Sequence, residues 1–189
     1  MPTLVFYTYL YHVDNVVNLT QSGKYTVLSL VFLTTCLIPV LTVLMFRYTK
    51  IIKDLQMSER KDRYVPFIFI TIFYIVVTYL MAQQPWFNSN MTVVMVTMTL
   101  VVIITNVITF FWKISAHAAG IAGWLGFILV FSRLYANGNT LLWPLVLAIL
   151  LNGLVTWSRL YLNAHKPKES IAGFALGFLL CYCSILFFV

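Results

Sequence analysis

Long apolar runs separated by short polar stretches dominate this chain. Six runs stand out, at 27–46, 66–81, 91–112, 118–135, 141–157 and 171–188. A helix needs about 20 mostly apolar residues to cross a bilayer's hydrocarbon core. The runs are of that order, with 66–81 the shortest. None shows the strict period-2 alternation of a barrel strand. In lipid, every backbone N–H and C=O has to be satisfied within its own segment, so each run is expected to be helical. Pro39 is expected to kink the first. The pattern predicts an all-α integral membrane protein, a multi-pass six-helix bundle.

Residues 1–26 break the pattern. They mix aromatic side chains with Asp14, Asn15, Asn18 and Lys24. No basic start leads into an apolar core and a small-residue cleavage site, as in a signal peptide. Tyrosine-rich segments favour membrane interfaces. Residues 1–26 are therefore expected to be an N-terminal interfacial segment, and 27–189 the transmembrane domain.

Composition agrees. Of 189 residues, 61% are hydrophobic and 9% charged, and the mean hydropathy is +0.92. Soluble domains carry about 25% charged residues, so a soluble surface is excluded. The net charge of +7 sits in short stretches between apolar runs, which points to lipid phosphates rather than nucleic acid. The lipid bilayer is the expected partner, with no nucleic acid. Cys36, Cys181 and Cys183 all lie in apolar segments and read as packing residues.

The connections hold the information. Ten of the twelve Lys and Arg residues fall in three regions: 47–63, the junction after the third run (Lys113), and the junction after the fifth (Arg159, Lys166, Lys168). These regions lie an even number of helices apart, so they share one face. The other face has Lys24 and Arg133. Two explanations compete. The positive-inside rule would put the basic face in the cytoplasm; alternatively, some of the cations bind an anionic substrate and inflate the count.

Small residues mark close helix contacts. Gly120, Gly123 and Gly126 recur along the fourth run, and Gly173 and Gly177 form a GxxxG in the sixth. Packing within the bundle is their first expected use; a homo-oligomer or a membrane-protein partner is the second.

Ionisable groups near membrane segments are costly and mark function. His117 and His165 both fall at helix ends on the basic face, within the stretches 113–117 and 158–169. This set suits a phosphate ester. Arg159 offers a planar fork of donors to phosphate oxygens. Lys113 adds a point charge. Ser115 offers a hydroxyl at a helix start, a natural anion site. One imidazole can attack phosphorus, and the other can protonate the leaving oxygen. Glu169 follows His165 by four residues, so on a helical turn its carboxylate can reach the ring and set its tautomer. Two histidines and a carboxylate among so many cations make a poor dication site. No metal and no cofactor are expected.

These stretches resemble a known family. Ser158-Arg159, five residues, His165, three residues and Glu169 is similar to the third signature of the type-2 phosphatidic acid phosphatase family, which reads Ser-Arg, five residues, His, three residues, Asp. Ser115-Ala116-His117 is similar to the second, Pro-Ser-Gly-His. Lys53 and Arg60 have the Lys-to-Arg interval of the first, Lys, six residues, Arg-Pro. The resemblance implies a phosphatidic acid phosphatase type 2-like six-helix bundle that hydrolyses a lipid phosphate without metal. It assigns the phosphohistidine to His165 and the acid/base role to His117. Arg159, Ser115, Lys113, Lys53 and Arg60 would hold the phosphate.

The chain departs from the signatures at defined positions. Ile114 replaces Pro, Ala116 replaces Gly, Glu169 replaces Asp, and Lys61 follows Arg60 where the family has Pro. A register through Arg63 and Pro66 does not keep the Lys-to-Arg interval. Ala116 cannot adopt positive φ as readily as Gly. Glu169 is one methylene longer than Asp. Loss of first-signature cations would remove charge stabilisation in the transition state. Two functions follow as expectations: a membrane-embedded phosphatase of a lipid phosphate or pyrophosphate, or a catalytically inactive phosphatase-like subunit or lipid-binding scaffold. The expected location is a bacterial cytoplasmic (inner) membrane.

Overall fold

A computed structural model describes residues 1–13, 19–52, 61–135 and 140–188, with the side chains of residues 61 and 62 set aside. Lys53 and Arg60 lie outside the described residues. Among those described there is helix and no strand. The elements are α1 (Pro2–His12), α2 (Gln21–Phe32), a π-helical turn (Leu33–Leu37), α3 (Ile38–Tyr48), α4 (Lys61–Ala82), α5 (Ser89–Phe111), α6 (Ala116–Tyr135), α7 (Leu142–Tyr161) and α8 (Pro167–Phe188). The stretch from α2 to α3 is one continuous span, Gln21–Tyr48, so six helices are long and apolar enough to cross a membrane. The protein is an integral multi-pass membrane protein; four spans contain the run that predicted them, and the runs 91–112 and 141–157 each overhang their span by one residue.

Helix α6 is the hub. In its most apolar stretch 61% of residues are buried, against 17% in α7 and 22% in α8. Its small residues make this possible, because backbones approach closely where no Cβ intervenes. A methyl group at Gly177 would overlap the carbonyl of Ala119, and one at Gly173 the carbonyl of Ser115. At Gly126 it would come within 2.8 Å of the Phe178 carbonyl. Gly123 and Gly126 of α6 with Gly173 and Gly177 of α8 thus form a seam between the two helices, while Gly120 faces Met1.

Polar side chains tie the other spans together. Thr78 and Thr99 share a hydrogen bond of 2.7 Å between α4 and α5. Lower down, Asn106 donates to the Phe67 carbonyl at 3.0 Å and to Thr71. Asn152 of α7 donates to the Ile121 carbonyl of α6 at 3.2 Å. Many of the threonines return their hydroxyl to a carbonyl one turn back, as Thr35 does to Val31 at 2.7 Å, which satisfies those donors in lipid.

The irregularity expected at Pro39 is the π-helical turn just before it. Pro39 has no N–H to donate to the carbonyl of Thr35, four residues earlier. The Tyr74 hydroxyl of α4 donates to that carbonyl at 3.0 Å instead. One hydrogen bond thereby both repairs α3 and docks it on α4.

The segment 1–26 divides between α1, the connection after it and the start of α2. Helix α1 has 11 residues, about 16 Å at 1.5 Å per residue, too short to span. Val5, Phe6, Tyr9 and Leu10 are buried in the core. Trp124 Nε1 of α6 donates to Thr8 Oγ1 at 3.0 Å. Phe6 stacks on Phe87 at 5.8 Å, at the loop between α4 and α5. The other end of the helix puts the Met1 side chain over Gly120. Helix α1 is thus a half-length element packed inside the bundle.

Candidate active site

Four helix ends converge on the basic face. The first turn of α6, the end of α7 and the turn before α8 bring His117, Arg159 and His165 to the wall of one pocket of about 450 Å³. Arg63, in the first turn of α4, completes the cationic side. Pro39, Val40, Val43 and Leu44 of α3, with Phe67 and Ile70 of α4, form an apolar side. The pocket therefore has a charged half and a hydrocarbon half.

Local structure explains each position. Tyr161 ends α7, and the chain turns through Asn163, whose φ of 50° is left-handed, a conformation Asn tolerates better than most residues. The backbone N–H groups of Ala164 and His165 both return to the Arg159 carbonyl, at 3.0 and 3.3 Å. This hairpin locks the interval between Arg159 and His165. Pro167 then starts α8, a position where its missing N–H costs nothing. Helix α8 begins four residues earlier than the apolar run suggested, so Glu169 lies in its first turn.

That early start sets the chemistry of His165. Its Nδ1 lies 3.0 Å from Glu169 Oε2, and the same oxygen accepts from the Lys166 N–H at 3.1 Å. The side chains of both residues are about nine-tenths buried, at 9% and 10% exposure. An ionised carboxylate only accepts, so Nδ1 carries the proton and Nε2 keeps its lone pair. Burial pulls the His165 pKa below its ordinary value; the Glu169 hydrogen bond opposes this, and Arg63 and Lys113 reinforce it. His165 is thus held as a neutral base at neutral pH.

The cations are arranged for an anion. Arg159 Nε is buried and has no hydrogen-bond partner among the described residues, an arrangement that calls for an acceptor. Arg63 is 6% exposed. Lys113 lies at a neighbouring mouth with His165, Lys166 and Glu169. Burial first, and the nearby Arg63 second, lower its pKa. His117 opens onto the pocket from the first turn of α6.

Ser115 is placed differently from the other expected residues. It is fully buried and does not line the pocket. Its Oγ accepts from the Ala118 N–H at 3.3 Å, capping α6. Its own N–H donates to the Glu169 carbonyl at 3.2 Å. Ser115 therefore joins the start of α6 to the start of α8, and with Gly173 against its carbonyl it fixes His117 relative to His165.

Arg63 enters the sequence reading only in a register that does not keep the Lys-to-Arg interval, and it is not among the expected site residues. The Lys-to-Arg interval led to Lys53 and Arg60. The available signal was positional: Arg63 is the last cation before the apolar run, three residues ahead of Pro66, and an arginine at a span boundary is costly unless used.

The fold and site define a class: a multi-pass helical membrane bundle with two histidines, two arginines and a carboxylate-oriented imidazole at one face. Residues 109–189 match the family model described as PAP2 superfamily. The match runs from the end of α5 through α6, α7 and α8, and contains Lys113, Ser115, His117, Arg159, His165 and Glu169. The likeness read from the second and third signatures is to this superfamily, and the helical bundle fits it. No curated protein and no solved structure matches the chain. The superfamily match supports, in general, a phosphatase-type function toward a lipid phosphate.

Proposed function

We propose that the protein is a metal-independent phosphohydrolase of a lipid phosphate or pyrophosphate that acts through a phosphohistidine at His165. The observation carrying this reading is the oriented imidazole: Nδ1 held by Glu169 at 3.0 Å, in the same pocket wall as Arg63, His117 and Arg159. The apolar half of the pocket suits the substrate's hydrocarbon part.

The mechanism follows from the groups present. Arg63 and Arg159 bind the non-bridging phosphate oxygens and stabilise the charge that develops on them. His165 Nε2 attacks phosphorus, forming an N–P bond as the bridging P–O bond breaks. His117, as imidazolium, gives its proton to the departing oxygen. His117, now neutral, takes a proton from water, which attacks the phosphohistidine. The N–P bond breaks, inorganic phosphate forms, and His165 is restored. Glu169 stabilises the positive charge His165 carries while phosphorylated. Lys113 supports phosphate binding from the mouth. Lys53, Arg60 and Ser115 remain proposed phosphate-binding residues, Ser115 acting through the backbone it positions. The bacterial cytoplasmic membrane remains the proposed location.

The test is phosphate release from phosphatidic acid and from a polyprenyl diphosphate in detergent with chelator, for wild type and His165→Ala. Release by the wild type that disappears in a folded His165→Ala protein is expected, together with an acid-labile phosphoprotein in rapid-quench samples. No release from either protein, with normal assembly of both, would favour the inactive scaffold.

A further inference from the structure

We propose that a second cavity behind the catalytic pocket is a subsite for an ester-linked acyl chain of the substrate, and that the Thr105 hydroxyl donates to the ester oxygen there. For turnover this rests on the phosphohydrolase reading; the binding itself is independent of it.

Two cavities meet at the site. Besides the pocket of about 450 Å³ that holds His117, Arg159 and His165, a second of about 210 Å³ lies between α4, α5 and the starts of α1 and α6. Phe67, Ile70 and Ala116 line both, so the two adjoin along that edge. Ala116 stands where the second signature has Gly. The catalytic pocket has its apolar wall on α3. The second cavity instead runs past Met98, Val101 and Val102 of α5. An apolar cavity of about 150 Å³ is enough to hold benzene, so this one has room for a segment of hydrocarbon chain. A lipid held by its phosphate at Arg63 and Arg159 thus has two hydrocarbon directions open to it.

The second cavity also carries polar groups. Tyr74, Thr105 and Asn106 line it. The Tyr74 hydroxyl is engaged with the Thr35 carbonyl at 3.0 Å, and the Asn106 amide with Thr71 and the Phe67 carbonyl. Thr105 is 3% exposed, and its hydroxyl has no hydrogen-bond partner among the described residues. Unlike Thr35 and Thr109, it does not bond the carbonyl one turn back. A buried hydroxyl left without a partner is costly and calls for an acceptor.

Its depth suits an ester. The neighbouring Asn106 bonds at Phe67 and Thr71, which follow Arg63 along α4 by about 6 and 12 Å at 1.5 Å per residue. The Thr105 hydroxyl therefore lies one to two helical turns beyond a phosphate-binding arginine. In an acyl-ester lipid phosphate the first carbonyl follows phosphorus by a few bonds and points into otherwise apolar surroundings. A polyprenyl chain has no acceptor at that distance and would leave the hydroxyl unmet.

Two measurements test this. The first compares kcat and KM for a diacyl lipid phosphate and a polyprenyl phosphate, in wild type, Thr105→Val and Thr105→Ser. Wild type is expected to prefer the ester substrate. Thr105→Val should lower that preference about 5–10-fold, the scale of one hydrogen bond, through KM for the ester substrate rather than kcat. Thr105→Ser should keep it. A wild type that prefers the polyprenyl substrate, or a preference unchanged in Thr105→Val, overturns the role of Thr105. The second uses a non-hydrolysable phosphonate of the diacyl lipid with a diazirine early in each acyl chain. After photolysis, labelled residues are located by peptide mass. Label is expected on α5 within residues 98–102, and at least five-fold less of it in Val102→Phe, which fills the cavity. Label confined to α3, residues 39–44, overturns the subsite, and this wild-type map decides even where Val102→Phe does not fold. Label on α5 with no phosphate release from any substrate sinks the phosphohydrolase reading and leaves the subsite standing. Release with label on α3 alone does the reverse.

Discussion

Nδ1 of His165 lies 3.0 Å from Oε2 of Glu169, one helical turn away at the start of α8. The carboxylate is itself held by the Lys166 N–H, so the imidazole is fixed in ring orientation and tautomer. The Glu169→Gln protein is expected to lose activity about 100-fold, since partners that orient a functional imidazole cost about 10–100-fold when removed. Glu169→Asp should retain more activity. The pH profile gives the sign. The reactive form of His165 is the neutral base, and its pKa lies below the ordinary value, so the acid limb that His165 sets should lie below about 6.5. Glu169 raises that pKa, so its removal should shift the acid limb to lower pH. A kcat–pH series for both proteins checks this; a shift to higher pH would refute it.

Arg63 and Arg159 face the same pocket, and Arg60 lies outside the described residues. Arg63→Ala and Arg159→Ala are each expected to lower kcat/KM about 100–1,000-fold, the range for loss of one donor to a developing oxyanion. Lysine should rescue either only in part, because it lacks the planar fork. Arg60→Ala should cost less than Arg63→Ala. Steady-state kinetics on the three alanine variants would decide, and equal losses at Arg60 and Arg63 would count against Arg63's special position.

The seam between α6 and α8 gives a packing prediction. Gly177→Ala sets a methyl group against the Ala119 carbonyl, and overpacking costs about 1–3 kcal/mol. The variant should melt lower in detergent and lose activity, because α6 carries His117. Gly153 is the control. A methyl there meets nothing within 4 Å, and alanine in a helix interior is favoured over glycine by about 1 kcal/mol. Gly153→Ala should therefore melt at or above the wild-type temperature. Thermal melts of both variants check the contrast.

Tyr74→Phe tests the repair at Pro39. Without the hydroxyl, the Thr35 carbonyl loses the donor that replaces the one proline lacks. The expected cost is about 1 kcal/mol, the scale of interhelical hydrogen bonds in membranes. Pro39→Ala in the same background restores an N–H and should recover part of the loss. A double-mutant cycle of unfolding free energies would show the coupling; additive effects would refute it.

Much of the fold was legible because lipid allows few solutions. An apolar run of spanning length has to be a helix, and all six runs coincide with helices found, two of them overhanging by one residue. The boundaries were less legible. Helices α4 and α8 begin earlier than their apolar runs because their first turns use polar residues. Those turns hold Arg63 and Glu169, and hydropathy alone passes over them. The interval between Arg159 and His165 was visible as a motif, yet the hairpin through Asn163 that enforces it was not.

By itself, the sequence determined that the chain is a six-span membrane bundle, that its cations gather on one face, and that two histidines sit at helix ends there. Each is a local property: run length, charge spacing and side-chain identity are read one segment at a time. Only the tertiary structure decided that Arg63 joins His117, Arg159 and His165, and that Ser115 turns inward to cap α6 and bond to Glu169. It also decided that α1 packs within the core. Those outcomes depend on how closely α6 and α8 approach and on which helix faces meet, and that is set by glycine contacts between segments far apart in the chain.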